Sequence, residues 1–168
     1  FLTVIFDLTV AIEVGLLIAC VLFMKRVMET TDISVIKNEI DPNNESDLEV
    51  HEEHLMVPEG VEVYEINGPY FFGIATKFEE IMSELGDRPK VRIIRMRKVP
   101  FIDSTGIHNL TNLCEMSKKE NIHIVLSGVN EKVHKVLEKA GFYDLLGEDN
   151  ICPNINVALE KAKAIVEK

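Results

Sequence analysis

The sequence has none of the residue spacings that mark the common catalytic and metal centres. It contains no CxxC pair, no HExxH motif and no GxxxxGK loop, and no nucleophile is visible together with a base. The stretch HEEH at 51–54 has metal-ligating residue types, but it lies in a polar segment with no framework to hold an ion. We therefore expect no enzyme, no catalytic residue, no cofactor and no metal.

Cysteine is scarce and badly placed for disulfides. The three cysteines, Cys20, Cys114 and Cys152, are odd in number and widely spaced, and two of them fall among apolar residues. This pattern favours buried, reduced thiols over a disulfide framework.

Positive charge is also in short supply. The formal net charge of −10 argues against a nucleic-acid binder, because phosphate contacts need clustered basic residues. Residues 88–98 are the exception, since they hold six basic residues and no acid. This run is either a solvated strand face and loop or a patch for an anion, a lipid headgroup or an acidic partner. The candidate patch residues are Arg92, Arg95, Arg97 and Lys98.

A long apolar run occupies the N-terminal part of the chain. Residues 1–24 are nearly all apolar, and 14–24 are uninterrupted before Lys25 and Arg26. A signal peptide has the reverse order, with basic residues first. We predict a membrane helix that starts near Asp7 and Leu8 and leaves the bilayer on the cytoplasmic side, where the basic residues lie. A helix in a soluble core is the alternative.

The remaining periodicity predicts an α/β domain with a mixed sheet and about four helices. Residues 29–60 read as an acidic linker, because seven acidic residues and no Lys or Arg lie between Asp41 and Glu59. Strands are predicted at 61–66 and 70–75, as an antiparallel pair, and then at 90–96, 122–126 and 151–152. Helices are predicted at 76–85, from Asp103 to about 119, at 131–140 and at the C-terminal end. The predicted segments are thus 1–28, 29–60 and 61–168.

The loop between the strand at 90–96 and the next helix carries the candidate site. Its residues are Asp103, Ser104, Thr105 and Gly106. Asp103 suits a helix N-cap, and the free amides of the first turn favour an anion or phosphate next to the two hydroxyls. A purely structural cap is the alternative. Behind the loop, the helix has an apolar stripe formed by Ile107, Leu110, Leu113 and Cys114.

Three segments resemble one known family. VPFIDSTGI, followed by an amphipathic helix, resembles the D-S/T-S/T-G loop of STAS domains, which anti-sigma factor antagonists share with the cytoplasmic tails of SulP/SLC26 anion transporters. FDLTVAIEVGLLIACVLFMKRVMETTD resembles the last membrane helices of those transporters, and INGPYFFGIATKF resembles a segment of their STAS domains. In the antagonists the second hydroxyl of the loop accepts a phosphate, and Thr105 is the matching residue.

The resemblance implies a function for the chain. It implies the cytoplasmic regulatory and assembly domain of a multi-pass transporter in the cell's inner membrane, which moves sulfate, bicarbonate, chloride or a dicarboxylate through helices outside this chain. The implied partners are its own permease domain, a second protomer, the membrane through residues 1–24 and a regulatory protein at the 103–106 loop. The alternative is a phosphorylation-controlled interaction module with Thr105 or Ser104 as acceptor. Nucleotide binding at the loop is a third alternative.

Overall fold

The structure of the protein is a computed structural model that describes residues 8–29, 32–36, 39–40, 55–70, 78, 81 and 88–167. It divides into two compact units, Phe1–Thr31 and Asp32–Lys168.

The first unit contains one long apolar helix, α1, at Leu8–Glu29. Its stretch Leu8–Arg26 has 19 residues and a mean hydropathy of 2.2, so by length and composition it can cross a membrane. Its large side chains are solvent-exposed, with Leu16, Leu17 and Phe23 at 65–69%. An apolar helix surface of this extent needs an apolar surrounding. The predicted N-terminal apolar helix is confirmed.

The second unit is built on a five-stranded sheet. In the order of the sheet, its strands are β1 (Asp32–Ile36), β4 (Val61–Asn67), β5 (Val91–Arg95), β6 (His123–Ser127) and β7 (Ile151–Cys152). β1 runs antiparallel to β4, and the other neighbours are parallel. A separate two-stranded sheet pairs β2 (Glu39–Ile40) with β3 (Leu55–Met56). The predicted mixed sheet is confirmed.

Helices cover both faces of the five-stranded sheet. Tyr64, Ile94 and Leu126 point to the face covered by α2 (Ser104–Lys119), α3 (Glu131–Lys139) and α4 (Phe142–Leu146). A short 3-10 helix, Glu148–Asn150, follows α4. Their strand neighbours Val63 and Val125 point to the opposite face, which α5 (Ile155–Val166) covers. Alternate residues of each central strand are buried on opposite sides, as expected for an α/β sandwich.

Three of the described helices begin with the same type of N-cap. Asp103, Asn130 and Asn154 are the N-caps of α2, α3 and α5, and the side-chain oxygen of each accepts a hydrogen bond from the backbone amide three residues later. These bonds satisfy amides that have no partner inside the helix. The helix starts follow from local sequence.

The predicted hairpin of 61–66 with 70–75 is wrong. β4 has β1 on one edge and β5 on the other, so neither edge is available to residues that follow it. Tyr70 instead forms an isolated parallel bridge with Ile102. Residues 71–75 lie outside the described residues.

The predicted linker at 29–60 also needs correction. Asp32–Ile36 lies inside that stretch, yet it is a strand of the main sheet. Ile33 is buried in this strand, and the burial of its apolar side chain favours packing of the segment in the sheet. Only Thr30 and Thr31 separate the end of α1 from the start of β1. The remaining boundaries stay a prediction, because residues 41–54 lie outside the described residues.

Candidate functional site

The candidate site is the 103–106 loop, which follows β5 at the carboxyl end of the sheet. The chain leaves β5 through a hydrogen bond from the amide of Met96 to the carbonyl of Ser127, 2.8 Å long. It then turns back, since the amide of Val99 bonds the carbonyl of Met96 at 3.0 Å. The loop thus lies where parallel α/β sheets present their binding residues.

Asp103 fixes the start of α2. Its backbone is extended, and its carboxylate accepts the amide of Gly106 at 2.6 Å. The carbonyl of Asp103 accepts the amide of Ile107 at 2.9 Å, which is the first helical hydrogen bond. The predicted N-cap is confirmed, and the carboxylate is therefore used within the loop rather than held out to a partner.

The two hydroxyl residues of the loop face solvent. Ser104 and Thr105 are both exposed and occupy the first two helical positions. The first turn of α2 contains no acidic residue of its own, and the carboxylate of Asp103 at the N-cap is the negative charge that lies at the positive end of the helix dipole. The loop therefore offers two accessible hydroxyls at a helix start that Asp103 already caps.

Gly106 brings the loop close to a buried tyrosine. A Cβ atom at this position would lie 2.3 Å from the carbonyl oxygen of Tyr70 and 2.8 Å from its ring. The side chain of Tyr70 is only 1% exposed, and burial raises the pKa of its hydroxyl above the usual value. The loop rests directly on the core, and only glycine allows this approach.

The exposed surface beside the loop carries no formal charge over an unusual length. Residues 104–114 include no Asp, Glu, Lys or Arg. His108 and Asn112 are exposed on this face of α2 and are 3.2 Å apart through side-chain nitrogens. Phe101, just before the loop, is 52% exposed. We call the surface formed by Phe101, Ser104, Thr105, His108 and Asn112 the uncharged face. Depletion of charge with an exposed aromatic side chain is typical of protein interfaces.

The structure does not bring the predicted basic patch together on the surface. Arg92 and Arg95 are only 6% and 5% exposed. Arg92 lies 4.0 Å from the carboxylate of Glu62, and Arg95 lies 3.2 Å from that of Glu65. Both arginines are therefore side chains of the sheet interior, and their proposed contact with an external anion or partner is not supported.

The other two patch residues lie nearer the surface. Lys98 has a side chain that is 41% exposed, and its Nζ lies 3.4 Å from a carboxylate oxygen of Glu65. Arg97 is half-buried, with its Cβ near Gly128. Burial, and then the positive charge of Arg97, lower the pKa of the Arg95 guanidinium. Of the four predicted patch residues, Arg92 and Arg95 thus form ion pairs in the interior, and Arg97 and Lys98 lie just past the end of β5.

Three residues complete these contacts and are not among the sequence-based candidates: Glu62, Glu65 and Ser117. Glu62 receives the hydroxyl of Tyr64 at 2.7 Å, and the guanidinium of Arg92 donates to Ser117 at 3.3 Å. These side chains form a buried polar network between β4, β5 and α2, away from the 103–106 loop. Among the described residues there is no group of three or more potential metal ligands, and the HEEH stretch lies outside them.

Comparison with known proteins identifies the fold. The family model of the STAS domain matches residues 54–158. The putative sulfate transporter YvdB of Bacillus subtilis is 28% identical over 156 residues, which cover 89% of this chain and 26% of the relative. The chain spans about a quarter of the length of the curated relatives that it matches over most of its own length.

Solved structures agree. A sulfate transporter family protein from Wolinella succinogenes is 40% identical, with a TM-score of 0.66 over 77% of this chain and 100% of that one. The STAS domain of a SulP transporter from Vibrio cholerae is 37% identical, with a TM-score of 0.60 over 67% of this chain and 88% of that one. Murine Slc26a9 (20% identical) and an anti-sigma factor antagonist from Thermotoga maritima (19%) share the fold. The chain belongs to the STAS domain family, with its relatives among the SulP/SLC26 sulfate transporters.

Proposed function

We propose that the second unit is the cytoplasmic regulatory and assembly domain of a SulP-type anion transporter and that α1 is the last membrane helix of that transporter. The observation that carries this proposal is the uncharged face, which presents the capped loop and exposed Phe101 to a partner. In this proposal the domain itself transports nothing, and the packed sandwich formed by the described residues of the second unit supports it.

The partner of the uncharged face is the permease domain or the second protomer of a dimer. Charged residues make up 27% of this chain, so an exposed helix face without them favours docking against another protein surface. The order of the elements supports a functional connection between the second unit and α1, since only two residues of the sequence lie between α1 and β1. Because named relatives are sulfate transporters, sulfate stands among the anions proposed for the parent, with bicarbonate, chloride and dicarboxylates.

A charge placed on the uncharged face tests this proposal. We expect Asn112→Lys in the parent transporter to lower anion uptake into proteoliposomes at least about fivefold, because an interface loses roughly 1 kcal/mol or more when a desolvated charge is introduced. Asn112 is exposed in mid-helix, so folding should change by less than about 0.5 kcal/mol.

Ala164→Lys is the matched control. Ala164 is exposed on α5, which covers the opposite face of the sheet. This variant should take up anion at the wild-type rate. Equal losses in both variants, or no loss in Asn112→Lys, would exclude the uncharged face as the working surface.

A phosphorylation-controlled interaction module is the second candidate, and the exposure of Thr105 at the start of α2 favours it. A phosphate there would add about −1.5 to −2 charges beside the Asp103 carboxylate at the start of α2, which would change the charge of the uncharged face. In this case Thr105→Glu should change partner binding or uptake, whereas Thr105→Gln, which has the same shape without the charge, should not. Mass spectrometry of the protein from cells should find phosphate on Thr105. Identical Glu and Gln variants, with an unmodified threonine, would eliminate this candidate.

A further inference from the structure

A cavity lies at the far end of α2 from the 103–106 loop. It has a volume of about 310 Å³, opens to solvent and is bounded by the C-terminal half of α2, the start of β6, the end of α4 and the 3-10 helix. Small-molecule sites in proteins start at roughly this volume. The proposed docking of the uncharged face does not involve this end of the helix.

The floor of the cavity is apolar. It is formed by Cys114, Ile122 and Ile124, which are 4–6% exposed. Burial raises the pKa of the Cys114 thiol to about 12, so the thiol is neutral at physiological pH and the floor has no charge. Leu145 and Leu146 of α4 form one wall. An apolar body of a ligand can therefore leave water here.

The rim of the cavity is polar and includes one ammonium group. Lys118 and His123 are exposed at the mouth, and the amides of Asn121 and Asn150 stand beside them. None of the described residues that line the cavity is acidic. In a chain with a net charge of −10, an acid-free rim with an ammonium group favours an anionic head group.

We propose that this cavity binds a small amphipathic carboxylate. The apolar body packs on the floor formed by Cys114, Ile122 and Ile124, and the carboxylate lies at the rim next to Lys118 and His123. A ligand of about ten heavy atoms suits the volume, and the expected dissociation constant is on the order of 0.1–1 mM. The site is separate from the uncharged face, and its occupancy connects α2, β6 and α4.

Fluorine NMR of a ligand tests this assignment. The full chain in lipid nanodiscs is titrated with 3-(4-fluorophenyl)propionate, and empty nanodiscs give the contribution of the lipid. Lys118→Gln should weaken binding roughly two- to fivefold, as expected for one partly exposed charge pair. The matched change Lys119→Gln should leave binding unchanged, because the exposed Lys119 does not line the cavity.

The neutral amide of the same ligand separates charge recognition from simple apolar partition. It should bind more weakly than the carboxylate to the wild type and equally to wild type and Lys118→Gln. The proposal is overturned if amide and carboxylate bind alike, if the two lysine variants behave alike, or if the chain adds nothing to the signal of empty nanodiscs. None of these outcomes depends on anion transport or on Asn112, so this test and the test of the proposed function fail independently.

Discussion

Gly106→Ala should destabilise the domain by about 3 kcal/mol, which is the upper part of the range for overpacking a tight contact. The added methyl group would lie 2.3 Å from the carbonyl oxygen of Tyr70 and 2.8 Å from the Cγ1 atom of Ile102. Tyr70 cannot move easily, because its amide bonds the carbonyl of Phe101 at 3.0 Å and its carbonyl accepts the amide of Asp103. Helix propensity alone predicts the opposite sign, with a gain of up to about 1 kcal/mol.

The measurement is denaturant unfolding of the full chain in a mild detergent that covers α1. Ser104→Ala is the control, since Ser104 is in the same turn but exposed, and it should change the free energy of unfolding by less than about 0.5 kcal/mol. A midpoint for Gly106→Ala equal to or above the wild-type value would mean that the loop does not rest on Tyr70. The packing argument would then fail.

The local features of the site follow from the sequence, because the interactions that create them are local. Asp103 bonds an amide three residues later, and the stripe of Leu110, Leu113 and Cys114 is buried as its spacing requires. The exposure of His108 follows from the same spacing. The spacing does not predict the close contact between Gly106 and Tyr70, because these two residues are 36 apart in the sequence.

Strand pairing was predicted less well for the same reason. The turn signal Asn67-Gly68-Pro69 favoured a hairpin, but the antiparallel partner of β4 precedes it, at Asp32–Ile36. That strand has only five residues and comes shortly before the acid-rich stretch, so composition concealed it. Its short run of Ile33, Val35 and Ile36 was the available signal.

Whether the charges in the basic run at residues 88–98 form ion pairs depends on the register of β4 and β5. Arg92 and Arg95 are three residues apart, and so are Glu62 and Glu65. The parallel register of β4 and β5 places the first glutamate opposite the first arginine and the second opposite the second. The equal spacing is present in the sequence, but it predicts ion pairs only when the two strands are known to be neighbours. The charges of Arg92 and Arg95 are thus paired inside the fold.

Arg92→Met should lower the free energy of unfolding by about 3 kcal/mol, because it leaves the carboxylate of Glu62 buried without its counter-charge. Glu62 is 7% exposed, and its carboxylate lies 2.7 Å from the Tyr64 hydroxyl and 4.0 Å from the Arg92 guanidinium. The change also removes the hydrogen bond from Arg92 to Ser117, a residue with no exposed surface. Because both side chains are buried, we expect the free energy of unfolding to depend strongly on this pair, even though the contact distance is long.

A double-mutant cycle with Glu62→Gln isolates the pair. The glutamine still accepts the hydroxyl of Tyr64 but carries no charge, so the double variant should be more stable than the sum of the two single losses predicts, by about 1–2 kcal/mol. Lys135→Met is the control, because Lys135 and Glu131 form a shorter contact of 2.6 Å with side chains that are 70% and 82% exposed. Its loss should stay within about 0.5 kcal/mol. Strictly additive losses, or a Lys135→Met loss as large as that of Arg92→Met, would contradict the view that burial decides how much each ion pair contributes.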